Sequence, residues 1–169
     1  AEIPFIRPAS LSDEYTGTIP VIAHAIKYFQ KKGISIDLAC CIYATAPFIQ
    51  SADLVSSLNQ IKSEKTNYCF SVTNYPFPIQ RSIRITKEKR CEMFHPETFY
   101  LRSQDLEEAF HDAGQFYWGK SEAWLQNKPI FSKESSPYFL PRYRVQDIDT
   151  KEDWEIAELM FKALYSENL

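Results

Sequence analysis

Between Ile3 and Thr73 the chain alternates apolar runs with amphipathic stretches, and this rhythm limits the fold more than any other feature. Ile3-Pro4-Phe5-Ile6 reads as a strand that stops at Arg7-Pro8, because proline restricts the residue before it and donates nothing to a ladder. Thr16-Gly17-Thr18 leads into a helix marked by Ile19, Ile22, Ile26 and Phe29, with Pro20 in its first turn and Gly33 at its end. Ile36 to Tyr43 is an apolar run of the kind a central parallel strand needs when both its faces are covered. It ends in Ala44-Thr45-Ala46-Pro47, small residues at a strand's carboxyl end, where open α/β sheets form their ligand crevice. Ala52 to Lys65 sets Leu54, Leu58 and Ile61 on one helical face, and Asn67 to Thr73 is the next strand. Strand, helix, strand, helix, strand predicts an α/β domain with a mostly parallel sheet.

The 169 residues suit one domain, 1–169, with a substantial core, and 15% aromatic content implies a densely packed interior or aromatic-lined clefts. A net charge of −3 supplies no general pull toward nucleic acid or an anionic membrane, so any phosphate recognition is local. No run is long enough to span a bilayer, and the first residues lack the basic and apolar regions of a signal peptide. A cytoplasmic protein is the expectation. Cys40, Cys41, Cys69 and Cys91 have no metal-ligand spacing, and the adjacent pair points to opposite faces of a strand, so all four read as reduced, core-filling residues. His24, His95 and His111 form no pair by sequence.

From Tyr75 the rhythm changes. Residues 75–110 carry several prolines, the short runs Arg81 to Ile85 and Met93 to Phe94, and Lys87, Lys89 and Arg90 around Glu88. This reads as an inserted arm that packs on a partner subunit or covers a site, with a solvated hairpin as the alternative. Ala113 to Trp118 is a further strand, and a short helix follows around Ser121 to Gln126. Tyr138 to Val145 reads as the strand that delivers Asp147 and Asp149. In extended chain alternate side chains share a direction, so both carboxylates point one way and Ile148 the other. Such a pair suits Mg²⁺, which takes one or two carboxylates together with water and substrate phosphate oxygens. The competing reading is a cap: Asp149 or Thr150 opens the last helix and Asp153 completes a capping box. That helix, from about Thr150, is expected to bury Trp154, Ala157, Phe161 and Leu164. At the first helix the alternatives are likewise open, phosphate or ribose contact at Gly17 against simple capping by Thr18.

The ordered set FIRP (5–8), TGT (16–18), YATAP (43–47), RSQDL (102–106), FHDAGQFYW (110–118) and YRVQDIDT (143–150) resembles the acylneuraminate cytidylyltransferases, and within them the CMP-pseudaminic acid synthetase branch. The resemblance runs over essentially the whole chain. It implies a Rossmann-like three-layer sandwich with an inserted dimerisation arm at 75–110, and a Mg²⁺-dependent transfer of CMP from CTP to the anomeric hydroxyl of a nine-carbon acidic sugar, pseudaminic acid, with release of pyrophosphate. It further implies that Asp147 and Asp149 hold the metal, that Arg7, Gly17 and Thr18 contact the nucleotide, and that Tyr43, Thr45, Arg102, Gln104 and His111 line the sugar pocket. Arg102 would pair with the sugar carboxylate, for which a planar guanidinium is well shaped. A general base is not identified; His111 and Asp112 are candidates by position alone. A homodimer is expected, without nucleic-acid or membrane partners.

Two departures qualify the resemblance. Tyr43 stands where the sialic enzymes have a sugar-contacting glutamine, and His111 where they have an arginine, which argues against sialic acid as substrate. The family also opens with a glycine-rich, basic loop for the CTP phosphates, and none of the four glycines, at 17, 33, 114 and 119, forms one. Taken as a whole protein, this chain is expected not to turn over CTP. The alternatives are a CMP-sialic acid synthetase and an inactive sugar- or nucleotide-binding fragment.

Overall fold

The computed structural model describes residues 2–165. Four strands, β1 (Leu38–Ile42), β2 (Tyr68–Asn74), β5 (Phe110–Lys120) and β6 (Ser135–Phe139), form one sheet in the order β1-β5-β2-β6. β1, β2 and β6 run the same way, so the sheet is mostly parallel, while the long β5 runs against them and is wedged between β1 and β2. The helices are α1 (Thr18–Lys31), α2 (Ser51–Glu64), α3 (Ser121–Leu125) and α4 (Lys151–Tyr165).

Alternation along β5 builds the layers. Tyr117 faces one side, packing with Tyr68, with Ile26 of α1 and with Ala123 and Trp124 of α3. Phe116 faces the other, with Ala113 and Leu140, and Leu54 of α2 closes over them. The result is helix, sheet, helix. Gly119 is what lets α3 lie so close: a Cβ there would fall 2.3 Å from Trp124 Nε1. Cys40 and Cys41 sit on opposite faces as alternation requires, in the second and first of these clusters respectively. All four cysteines are free, but Cys91 is exposed and not core-filling.

The structure corrects several expected elements. Residues 3–6 form no strand; the segment docks by aromatic contact, with Phe5 4.6 Å from the Tyr28 ring and 5.1 Å from His24, while the Tyr28 hydroxyl donates to the Pro4 carbonyl at 2.6 Å. The run ending at Tyr43 is not central. Among the described residues β1 is an edge strand, because β5 supplies one neighbour and its other edge is unpaired. The last strand is Ser135–Phe139, not Tyr138 to Val145: Pro141 and a 3-10 turn at Arg142–Arg144 break it. Pro137 is tolerated inside β6 because among the described residues that strand has a single neighbour, β2. In α4, Ala157 is buried, whereas Trp154 and Phe161 are 57% and 46% exposed.

The inserted arm forms its own two-stranded sheet, β3 (Ile83–Ile85) with β4 (Cys91–Met93), followed by two 3-10 turns. Arg81 ties the arm together by donating to the carbonyls of Phe99, at 3.0 Å, and Leu101. Its surface is strongly apolar: Phe77, Ile83, Ile85, Phe94, Phe99 and Tyr100 are all more than half exposed. Among the described residues, no helix is long and apolar enough to cross a membrane.

Candidate functional site

The carboxyl ends of β1, β2 and β6 meet the amino end of β5 at one end of the sheet, and there β5 is distorted. On β2 only Ser71 lies between Phe70 and Val72, whereas β5 inserts residues 113–116 between their partners Tyr117 and Asp112. Such a bulge leaves ladder groups without partners. Ser71 Oγ repairs part of the loss by accepting from Gln115 N at 3.3 Å and Phe116 N at 3.2 Å. Asp112 Oδ1 accepts from Gly114 N at 2.9 Å, and Gly114 takes φ +63°, a left-handed conformation that favours glycine.

Asp147 lies against this bulge. Its Oδ2 is 3.4 Å from where a Gly114 Cβ would stand, and its Oδ1 accepts from Ile148 N at 3.0 Å and Thr45 Oγ1 at 3.3 Å. Asp149 is exposed, and among the described residues it contributes its backbone N–H to a bond with Asp153 Oδ2 at 3.2 Å. The capping half of the sequence reading is found at Thr150 and Asp153, so the helix cap does not draw on the side chain of Asp147 or Asp149. Thr150 N donates to Asp153 Oδ2 at 2.8 Å, and Asp153 N donates to Thr150 Oγ1 at 3.2 Å.

A buried ion pair fixes the segment that leads to Asp147. Arg144 donates to Asp53 of α2 at 2.6 Å and 3.4 Å, Tyr138 adds a hydroxyl to the same carboxylate at 3.2 Å, and Gln115 Nε2 donates to the Arg144 carbonyl at 2.5 Å. Asp53 is only 6% exposed. Sequence reasoning missed this pair, since an acidic residue in the first turn of an amphipathic helix ordinarily signals a solvated N-terminus.

Arg7, Gly17, Thr18, Tyr43 and Thr45, five of the residues expected to bind ligand, line one cavity of about 260 Å³. Capping by Thr18 does not occur: Gly17 is the N-cap, no side chain bonds the helix end, and Thr18 Oγ1 is instead 2.6 Å from the Tyr43 hydroxyl. A second cavity of about 560 Å³ shares Gly17, Thr18 and Tyr43 and continues past Asp112 and Tyr117 to Ile130 and Phe131. His111 lies elsewhere, in a cavity of about 660 Å³ walled by Asn74, Arg142 and Met160, with its ring 4.8 Å from Tyr75 and its Nδ1 2.9 Å from the Asp112 carbonyl. Arg102 and Gln104 are exposed on the arm, where Arg102 forms a two-point pair with Asp105 at 2.7 Å and 3.0 Å. The structure therefore gathers the nucleotide candidates, Tyr43, Thr45 and Asp147, and leaves Arg102, Gln104 and His111 apart from them.

Burial dominates the ionisation of Tyr117 at this end of the sheet. Tyr117, 3% exposed and donating to Asp112 Oδ2, has its phenol pushed far above the ordinary value, first by burial and then by that carboxylate. Among the described residues no three His, Cys, Asp or Glu side chains gather as a metal cluster. Asp147 and Asp149, both exposed, are the carboxylates that could hold a Mg²⁺ ion together with water and phosphate oxygens.

No family model matches the chain. The chain is 38% identical over 162 residues to a pseudaminic acid cytidylyltransferase of Campylobacter jejuni, covering 96% of this chain and 70% of that protein. It is 32% identical over 144 residues to a Helicobacter pylori protein named pseudaminic acid cytidylyltransferase and UDP-2,4-diacetamido-2,4,6-trideoxy-beta-L-altropyranose hydrolase, covering 85% of this chain and 27% of that one. In fold it matches CMP:2-keto-3-deoxy-manno-octonic acid synthetase complexed with CTP, with a TM-score of 0.54 at 9% identity over 92% of this chain and 70% of that structure. That match places the fold, and 38% identity over this much of a relative decides the lineage: the chain belongs to the pseudaminic acid cytidylyltransferase family.

Proposed function

We propose that this protein transfers CMP from CTP to the anomeric hydroxyl of pseudaminic acid, a nine-carbon acidic sugar, and releases pyrophosphate. The observation that carries the reading is the convergence of Arg7, Gly17, Thr18, Tyr43 and Thr45 on one cavity, with Asp147 tied to its rim through Thr45. In the reaction the sugar oxygen forms a bond to the α-phosphorus, the bond from that phosphorus to the pyrophosphate oxygen breaks, and the hydroxyl proton leaves to a base. Arg7, exposed beside the cavity, supplies a cation to the nucleotide phosphates, and the open N-terminus of α1 at Gly17 offers N–H groups to the same anion. Asp147 and Asp149 would hold Mg²⁺, which when bound offsets charge on the α-phosphate and the leaving group. The exposed apolar arm supports a homodimer in which Arg102 and Gln104 of the arm serve the partner's sugar pocket. Four free cysteines fit a reducing compartment, the cytoplasm.

The test is pyrophosphate release by the full-length protein with CTP, Mg²⁺ and either pseudaminic or sialic acid. Turnover with pseudaminic acid that disappears on chelation and in Asp147→Asn is expected; turnover unchanged by Asp147→Asn would refute the metal assignment, and preference for sialic acid would refute the sugar.

A further inference from the structure

Gln115 closes a ring of contacts between the nucleotide cavity and Asp147. Its backbone carbonyl accepts from Tyr43 N at 3.0 Å, and its side-chain Nε2 donates to the Arg144 carbonyl at 2.5 Å. From Tyr43 the chain runs on to Thr45 and from Arg144 to Asp147, where Thr45 Oγ1 donates to Asp147 Oδ1 at 3.3 Å. Two short segments are thus clamped at both ends. One lines the 260 Å³ cavity through Tyr43, Ala44 and Thr45, and the other carries the carboxylate proposed to hold the metal. Gly114, next to Gln115 in the same bulge, receives that carboxylate on its bare backbone.

The two clamps are unequal. The Thr45 bond is exposed and long, whereas Gln115 is 1% exposed and its bond to Arg144 is short and partly buried. Arg144 is itself anchored on α2 by Asp53, so Gln115 joins a fixed segment to a fixed strand. Packing alone does not call for glutamine here. Among the described residues its Oε1 is buried without a hydrogen-bond partner, a cost that methionine, of similar length, would avoid. What methionine lacks is the N–H that reaches Arg144.

We propose that Gln115 is a positioning residue of the metal site, whose side-chain N–H sets the Arg144–Asp147 segment against the Tyr43–Thr45 turn and so holds the Asp147 carboxylate beside the nucleotide cavity. The inference deepens the function proposed above and rests on Asp147 as a metal ligand. Gln115 lines neither the 260 Å³ nor the 560 Å³ cavity, so it acts through Asp147 and not on a substrate directly.

The full-length protein is compared with Gln115→Met, which removes both the donor and the stranded oxygen at similar length, and with Gln115→Leu, which does so with a shorter side chain. In each variant that circular dichroism shows to be folded, the Mg²⁺ concentration for half-maximal pyrophosphate release is expected to rise about tenfold, the scale of losing a group that orients a metal ligand. KM for the sugar at saturating Mg²⁺ is expected to stay within about twofold of the unaltered protein, since the metal ligand alone is displaced. A merely structural glutamine would lower the denaturation midpoint and leave the Mg²⁺ requirement where it was. An unchanged Mg²⁺ requirement in a folded variant overturns the proposal, as does a sugar KM that rises in step with it.

A second readout needs neither turnover nor substitution. In NMR of the unaltered, metal-free protein the Gln115 side-chain N–H signals are expected to exchange slowly with solvent and to shift when Mg²⁺ and CTP are added together; rapid exchange, or no shift, overturns the proposal. Failure of the function reads differently. A Mg²⁺ requirement unchanged in Asp147→Asn, or an unaltered protein that releases no pyrophosphate with either sugar, removes the metal site and the proposal with it. Mg²⁺-dependent turnover that is lost in Asp147→Asn but untouched in Gln115→Met removes the proposal alone.

Discussion

Asp147 lies across the bare backbone of Gly114, with its Oδ2 3.4 Å from the place a β-carbon would occupy. Contact at that distance is ordinary, so the need for glycine comes from φ +63°, which strains any L side chain. Gly114→Ala is expected to lower stability by about 1–2 kcal/mol in urea denaturation. An unaltered midpoint would mean that the bulge relaxes freely.

Asp53→Ala strips the partner from a guanidinium held 2.6 Å away, where the side chains are 13% and 9% exposed. Removing one member of a buried pair leaves the other uncompensated, and a loss of about 3–5 kcal/mol is expected. The Asp53→Ala, Arg144→Met double variant should recover part of it, and recovery is the outcome that distinguishes a stranded charge from lost packing.

Asp153 accepts from the Thr150 hydroxyl and N–H, which hold its carboxyl below the usual value. A depressed folded value adds stability above the unfolded carboxylate's pKa of about 3.9, and that stability is lost as pH falls through the lower folded one. Thr150→Val should therefore flatten the acid limb of a thermal-stability profile below about pH 4. A profile that keeps its slope counts against the capping box as its cause.

Burial raises Cys40 to about 12 and Cys41 and Cys69 to about 11. A raised folded value means that stability is intact below the unfolded thiol's pKa of about 8.5 and declines as pH climbs toward 11–12. At pH 8 a thiol reagent should modify exposed Cys91 rapidly, the half-buried Cys40 and Cys41 slowly, and buried Cys69 only on unfolding, as followed by intact mass. Rapid labelling at more than one site would contradict this burial.

Ile83 and Phe77 are 52% and 78% exposed on the arm, more apolar surface than an isolated hairpin tolerates. Ile83→Glu combined with Phe77→Glu is expected to shift a dimer to monomer in light scattering while circular dichroism stays unchanged. A protein that is monomeric before substitution removes the dimer.

Periodicity revealed the helices well, since Ile19, Ile22 and Ile26, and Leu54 and Ile61, recur at 3.6-residue spacing and face the sheet. It could not reveal where β5 inserts, because strand order depends on pairing between distant segments. That is why the run ending at Tyr43 read as central and is found at an edge. Trp154 and Phe161 show the same limit: helical spacing marks a stripe, and only the neighbours present decide whether it is covered. At the site, the Asp147–Asp149 spacing was visible, but the bulge that receives Asp147 was not, because Asp112 and Ser71 read as ordinary polar residues until their bonds to Gly114 and Gln115 are seen. Arg102 and His111 carried weight only through motif position, and three-dimensional proximity does not follow from it.

Pro137 makes the two margins of the sheet unequal. Its nitrogen carries no hydrogen, and its carbonyl is already engaged by Gln60 Nε2 at 3.1 Å, so the outer side of β6 is blunted against any incoming strand. β1 has no such protection: Cys40 and Ile42 alternate with residues that bond β5, and among the described residues nothing occupies their outward backbone groups. Lateral growth of the ladder, whether by a neighbouring segment, an added peptide or a clump of partly folded chains, is thus polarised toward one flank.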